Sequence, residues 1–232
     1  MAFNNFGNSF GRSSTAVINL IIINVLVFIA QAMFGGMQQE SRVTDLFALH
    51  HFRSDEFKFY QIITHMFMHG SFMHLLFNMF ALYTFGSMIE RIWGPKRFLI
   101  FYFICGVGAA FAQLGSYTYQ HIIDDKMLMN LDQVIEYQRE LRITATVGAS
   151  GAIMGVVAAF GYLFPNTEMM IIPIPIPVKA KWLVLGIIAI DLFSGIAGRP
   201  GDSVAHFAHL GGALTGFLIV FFQNRKDRST FY

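Results

Sequence analysis

The sequence predicts an all-α membrane protein, a bundle of six transmembrane helices, and three observations carry that expectation. Apolar residues fill 55% of the 232 positions while Asp, Glu, Lys and Arg fill 13%, against roughly one quarter charged in a soluble domain. The charges are clustered, with long apolar runs between them. Six of those runs approach the ~20 residues a helix needs to cross a ~30 Å hydrocarbon layer. A segment surrounded by lipid must satisfy its backbone internally, so each run reads as a helix.

Residues 1–14 form an N-terminal tail, 15–223 the membrane domain and 224–232 a C-terminal tail. The first run spans Thr15 to Phe34. Ala30-Gln31-Ala32 resembles a signal-peptide cleavage site, but the run is long and only Arg12 precedes it, which favours an uncleaved helix. The second run spans Ser71 to Ile92, the third Phe98 to Tyr117, and the fourth lies between Arg142 and Pro165. The fifth spans Trp182 to Ala197 and the sixth Ser203 to Phe222. Residues 35–70, a first loop of mixed aromatics and charges, suit short helices at the headgroups. Residues 118–143 make a second loop, whose part from His121 to Arg142 reads as amphipathic helix or polar loop. Pro173, Pro175 and Pro177 alternate with isoleucines, which favours an extended linker.

Six spans put both termini on one side. Arg91, Lys96, Arg97, Lys179, Lys181, Arg225, Lys226 and Arg228 share that side and sit close to helix ends. Acidic neighbours dilute several basic residues in the other loops, so the positive-inside rule places both termini inside. Without an extra terminal span or a transit peptide, the expected location is a bacterial plasma membrane. The small net charge of +2 and the lack of a basic run exclude nucleic acid as a partner. Cys105, the single cysteine, sits in an apolar run and reads as a small buried residue.

Strongly polar residues inside apolar helices are costly and invite a functional reading. Here they are His74 and Asn78 on the second span, Ser150 on the fourth, Asp191 on the fifth, and His206 and His209 on the sixth. Spans two, four and six run in the same direction. On ideal helices, Ser150, His209 and Asn78 then lie about 10–12 Å below one membrane face, at ~1.5 Å per residue. Gly151 and Gly155 on the fourth span, and Gly212 and Gly216 on the sixth, are small-xxx-small pairs that permit close backbone approach. Contact between these spans would bring His209 against Ser150. A hydrogen-bonded neutral histidine can take the proton of a serine hydroxyl as it attacks a carbonyl. The Ser150 amide, Asn78 and His74 are plausible donors to the oxyanion that forms. The set allows acyl transfer and, with water as second acceptor, peptide hydrolysis.

Three motifs now carry a resemblance. Gly148-Ala149-Ser150-Gly151 resembles the Gly-x-Ser-Gly motif of the rhomboid intramembrane proteases, Ala208-His209-Leu210-Gly211-Gly212 their histidine motif, and His74 with Asn78 their His-x-x-x-Asn signature. The motifs stand in family order over roughly Thr15 to Gln223. The resemblance implies a catalytic dyad without aspartate, Ser150 as nucleophile and His209 as base. His74, Asn78 and the Ser150 amide would form the oxyanion hole, with Gly148, Gly151, Met154 and His69 in supporting roles. It also implies single-pass membrane proteins as substrates, membrane lipid as surroundings, no cofactor, and activity as a monomer. Two positions depart from the family pattern: Tyr60-Gln61 stand where the first loop often carries Trp-Arg, and Met154 where an aromatic often packs near the histidine.

Other readings stand beside these. His206 is a second candidate base. Asp191 could complete a Ser–His–Asp triad, although bonding to helix termini or backbone is the expected role. His65, His69 and His74 invite a metal reading, but no neighbouring acid or His-Glu-x-x-His motif supports it, and His69 is expected to brace the first loop by hydrogen bonds. A catalytically inactive relative that binds transmembrane helices would lack the serine or the histidine. A small transporter would show inverted repeats, and none is visible.

Overall fold

Among the described residues of a computed structural model, five helices are long and apolar enough to cross a membrane, and a sixth apolar helix is shorter. The structure describes residues 14–35, 41–125, 135, 139, 144–171, 174–197 and 204–226. The spans are α1 (Thr15–Met33), α4 (Phe72–Trp93), α5 (Pro95–Asp125), α7 (Ala180–Ala197) and α8 (His206–Lys226), and the short helix is α6 (Ser150–Leu163). Two short helices, α2 (Arg42–Phe47) and α3 (Gln61–Thr64), lie in the first loop, as its composition predicts.

Local chemistry sets the helix boundaries. Ser71 caps α4 by accepting from the His74 amide at 3.1 Å. Gly94, at φ 78°, turns the chain out of α4, and Pro95 starts α5, where its missing N–H costs nothing. The start of α1 is held from another helix. The buried Glu90 carboxylate accepts from the Ala16 and Val17 amides at 2.9 and 2.8 Å, placing negative charge where the helix dipole favours it.

Three expectations need correction. The fourth run does not form a full-length helix: Thr144 to Ala149 lie outside it and Ser150 is its first residue. Its 14 residues rise only about 21 Å at 1.5 Å per residue. Every residue from Gly151 to Gly161 is buried, so protein surrounds this helix and non-helical chain can meet its ends. The third helix extends past Tyr117 to Asp125, taking the start of the expected 118–143 loop with it. Most of that loop after Asp125 lies outside the described residues, as do residues 1–13, 227–232 and Pro173. The proline-containing segment is extended as expected, but it pairs: β3 (Glu168–Ile171) runs antiparallel to β4 (Ile174–Lys179).

The bundle closes around α6, which packs against both α5 and α8. Glycine makes the α6–α8 approach possible. A Cβ on Gly212 would land on the Gly151 carbonyl oxygen, and one on Gly216 would land on that of Gly155. On the α5 side, Gly155 leaves room for the buried Cys105. The larger apolar core lies below, where Phe85, Phe98, Tyr102, Val156 and Phe160 pack together.

The first loop is ordered by polar contacts. Gln61 is fully buried. Its amide donates to the carbonyls of Glu56 and Asp45 at 2.8 and 2.9 Å, and its Oε1 accepts from the Lys58 amide at 3.1 Å. One neutral side chain thus satisfies three backbone groups of the loop. The loop also grips the segment before the serine helix. Strand β1 (Leu49–His50) pairs antiparallel with β2 (Ala145–Thr146), and the Gly148 amide donates to the His65 carbonyl at 2.9 Å.

Two predictions follow from this packing. Gly212→Ala should push α6 and α8 apart and cost about 1–3 kcal/mol, seen as a lower melting temperature in detergent. Gly115→Ala, whose Cβ meets nothing within 4 Å, is the control and should melt no lower than the wild type; equal melting of both variants would contradict the crossing. In the loop, burial pushes the His65 and His69 imidazoles down to about 4 from 6.5. An opened loop restores ordinary titration and binds more protons, so loop stability is full above about pH 6.5 and falls as pH drops toward 4. Hydrogen exchange over 61–68, corrected for intrinsic rate, should show less protection at pH 5 than at pH 7; equal protection would contradict the assignment.

Candidate active site

Three helix ends meet beside the first loop. Ser150 opens α6, and His209 lies in the first turn of α8. Their side chains touch, with His209 Nε2 2.8 Å from Ser150 Oγ. The start of α8 is fixed by α5, because the buried Gln113 side chain accepts from the Ala208 amide at 3.1 Å. The hydroxyl thus depends on the α6–α8 glycine crossing and the imidazole also on this glutamine.

Asp191 of α7 stands on the far side of the imidazole. Its Oδ1 and Oδ2 lie 3.1 and 3.2 Å from His209 Nδ1, and Oδ1 lies 2.7 Å from His206 Nδ1. The expectation that Asp191 bonds helix termini or backbone is therefore corrected: it bonds two imidazoles. A carboxylate can only accept, so Nδ1 of His209 carries the proton and Nε2 presents its lone pair to the serine hydroxyl. Asp191, His206 and His209 also offer ligand atoms within 4.8 Å of one another, a spacing open to a metal ion. Shared protons explain the same separations, since each close contact has hydrogen-bond length.

The space in front of Ser150 is bounded by His74. Gly148 adopts φ 129°, a conformation L side chains rarely adopt. A Cβ there would lie 2.8 and 2.9 Å from His74 Cε1 and Nε2, and 3.4 Å from Ser150 Oγ. Only glycine keeps this gap open. Asn78, one turn further along α4, is buried, and its Nδ2 finds no hydrogen-bond partner among the described residues. As the first residue of α6, Ser150 has a backbone N–H with no intrahelical acceptor. Two helices, α4 and α6, thus each carry a donor with no acceptor in its own helix. Ser150, His74 and His209 are each partly exposed.

The supporting residues fall into distinct places. Gly151 packs close to Ala109 and to the Ala208 carbonyl, within the α5–α6–α8 contact. Met154 is buried with Ala158, Ala213, Ile187 and Ile188 one turn below the serine. His69 lies where the first loop meets α1. Its ring stands edge-on to His74 at 5.1 Å. Its backbone is held by hydrogen bonds: Gln31 of α1 accepts from the His69 amide at 3.0 Å and donates to its carbonyl at 3.3 Å. His65 is likewise committed to structure, its Nδ1 donating to the Gln61 carbonyl at 2.8 Å.

The profile of the Rhomboid domain matches residues 56–226. The rhomboid protease AarA of Providencia stuartii is 30% identical over 207 residues, which cover 87% of this chain and 70% of that protein. Rhomboid protein 1, mitochondrial, of Saccharomyces cerevisiae is 31% identical over 68% of this chain and 40% of its own length. RHOMBOID-like protein 12, mitochondrial, of Arabidopsis thaliana is 28% identical over 93% and 60%. The chain thus spans less than two thirds of the length of two of these relatives. Their names divide between a bacterium and mitochondria, so the likeness gives no support to the expected bacterial plasma membrane. The Rhomboid profile covers most of the chain and AarA is 30% identical over 87% of it, so the chain is a multi-pass membrane protein that belongs to the rhomboid family.

Proposed function

We propose that this protein is an intramembrane serine endopeptidase, with Ser150 as nucleophile and His209 as general base. The observation that carries the proposal is the 2.8 Å contact between His209 Nε2 and Ser150 Oγ, at the meeting of two helices that glycine allows to touch. A serine at a glycine-lined crossing has a purely packing alternative. That alternative does not account for the imidazole lone pair aimed at its hydroxyl, or for the unpartnered donor on Asn78.

As Ser150 Oγ bonds to the scissile carbonyl carbon, its proton passes to His209 Nε2. The carbonyl oxygen takes up the electron pair. The Ser150 amide, His74 and Asn78 are the groups we assign to hold that charge, each contributing a few kcal/mol to lowering the barrier. The C–N bond then breaks as the imidazolium gives its proton to the departing nitrogen. Water, deprotonated by the same histidine, releases the acyl group and restores the hydroxyl. The partly exposed site leaves a route for that water.

The substrates we assign are single-pass membrane proteins. A helical peptide bond is shielded by its own hydrogen bonds, so cleavage requires a locally unwound segment. All the named groups come from one chain, so a monomer suffices. No cofactor is assigned, because nucleophile, base and oxyanion donors are all side-chain or backbone groups. The inside-facing orientation of both termini remains the reading that the flanking basic residues support.

Ser150→Ala should lower cleavage of a single-pass reporter substrate by more than about 10³-fold while leaving the melting temperature within a few degrees. Asn78→Ala should lower kcat by about 10²–10³-fold, the range for loss of one oxyanion donor. Cleavage unchanged in Ser150→Ala would remove the serine from the mechanism.

A further inference from the structure

We propose that Asp191 is a positioning residue for His209 and that His206 holds it in place, so that this chain works through a Ser150–His209–Asp191 relay with a second imidazole behind it. The inference rests on the protease reading above and goes beyond the two-residue mechanism that the motifs imply.

Three helices stack their residues here in matched layers. The polar layer contains Ser150 of α6, His209 of α8 and Asp191 of α7. One turn away lies an apolar layer of Met154, Ala213, Ile187 and Ile188. Met154 is four residues after Ser150 and Ala213 four after His209, whereas Ile187 is four before Asp191. That is the register expected of one helix running against two others. One turn in the opposite direction, a Cβ on Gly195 of α7 would approach His206 Cβ to 3.1 Å. The small residue allows α7 to come close enough for Asp191 to reach both imidazoles. The carboxylate is thus placed by packing above and below it.

The chemistry matches the placement. A neutral imidazole has two tautomers, and only the Nδ1–H form can take the serine proton at Nε2. Asp191 selects that form, because its oxygens at 3.1 and 3.2 Å from Nδ1 accept and cannot donate. When the serine proton moves to Nε2, the ring becomes an imidazolium. The Nδ1 proton stays on the ring, and the adjacent negative charge offsets the positive one. His206, donating to Oδ1 at 2.7 Å, fixes the carboxylate in turn.

Steady-state cleavage of a single-pass reporter, with melting temperature measured alongside, tests the proposal. Asp191→Asn keeps the volume but lets its amide donate to Nδ1, favouring the wrong tautomer. The expected result is a fall in kcat of about 10²–10⁴-fold, with KM and melting temperature near wild type. Asp191→Glu should recover part of the loss. His206→Gln should lower kcat by about 10-fold, the scale of a lost supporting contact. A kcat within threefold of wild type for Asp191→Asn would overturn the assignment, as would a fall matched by a lowered melting temperature with no recovery in Asp191→Glu. Should Asp191→Asn not fold, a wild-type kcat in His206→Gln would overturn it. Ser150→Ala run in parallel keeps the two ideas apart: its inactivity together with an active Asp191→Asn sinks the relay alone, whereas an active Ser150→Ala sinks the protease reading itself.

Discussion

The structure depends on one close crossing. Helices α6 and α8 meet backbone to backbone because Gly212 and Gly216 leave no side chain between them and the carbonyls of Gly151 and Gly155. In a lipid-facing bundle little hydrophobic force draws helices together, so such contact relies on shape and dispersion. The crossing fixes two helix beginnings side by side. Ser150 and His209 are within hydrogen-bond reach because each lies in the first turn of its own helix. Displacing either helix by the radius of a methyl group would leave a hydroxyl without its base.

Around this crossing, the polar groups near the helix ends are satisfied by specific partners. Gln113 takes the Ala208 amide, Glu90 the first amides of α1, and Gln61 several stretches of the first loop. Each is buried, where an unsatisfied backbone group would cost on the order of 1–3 kcal/mol. The first loop is thereby more than a connector. Through β1–β2 and the His65–Gly148 bond it fixes the extended approach to Ser150, and the positive φ of Gly148 then opens the space beside the hydroxyl. Asn78 Nδ2, by contrast, is one of several buried polar atoms with no hydrogen-bond partner among the described residues, a cost that an active site can carry.

Much of this was legible from residue types alone. Ser150, His209, His74 and Asn78 declared themselves as polar exceptions in apolar runs, and the paired glycines announced which helices meet. Other features left no such mark. The extended stretch before Ser150 is as apolar as a helix, so hydropathy could not tell a buried short helix from a full span. Asp191 looked structural because its reach depends on how α7 rotates and how closely Gly195 lets it approach, neither of which has a sequence period. Gln61 bonds to backbone, which any neighbouring sequence supplies, so its role as a hub was silent.

The central claim is that the Ser150 hydroxyl is activated by the imidazole beside it. A fluorophosphonate probe reports this directly, because it forms a bond only with an activated hydroxyl. The protein in membranes, treated with such a probe and mapped by peptide mass spectrometry, should carry the adduct on Ser150, and the labelling should be lost in His209→Ala. An adduct on a different residue, or labelling of Ser150 at the same rate without His209, would contradict the account.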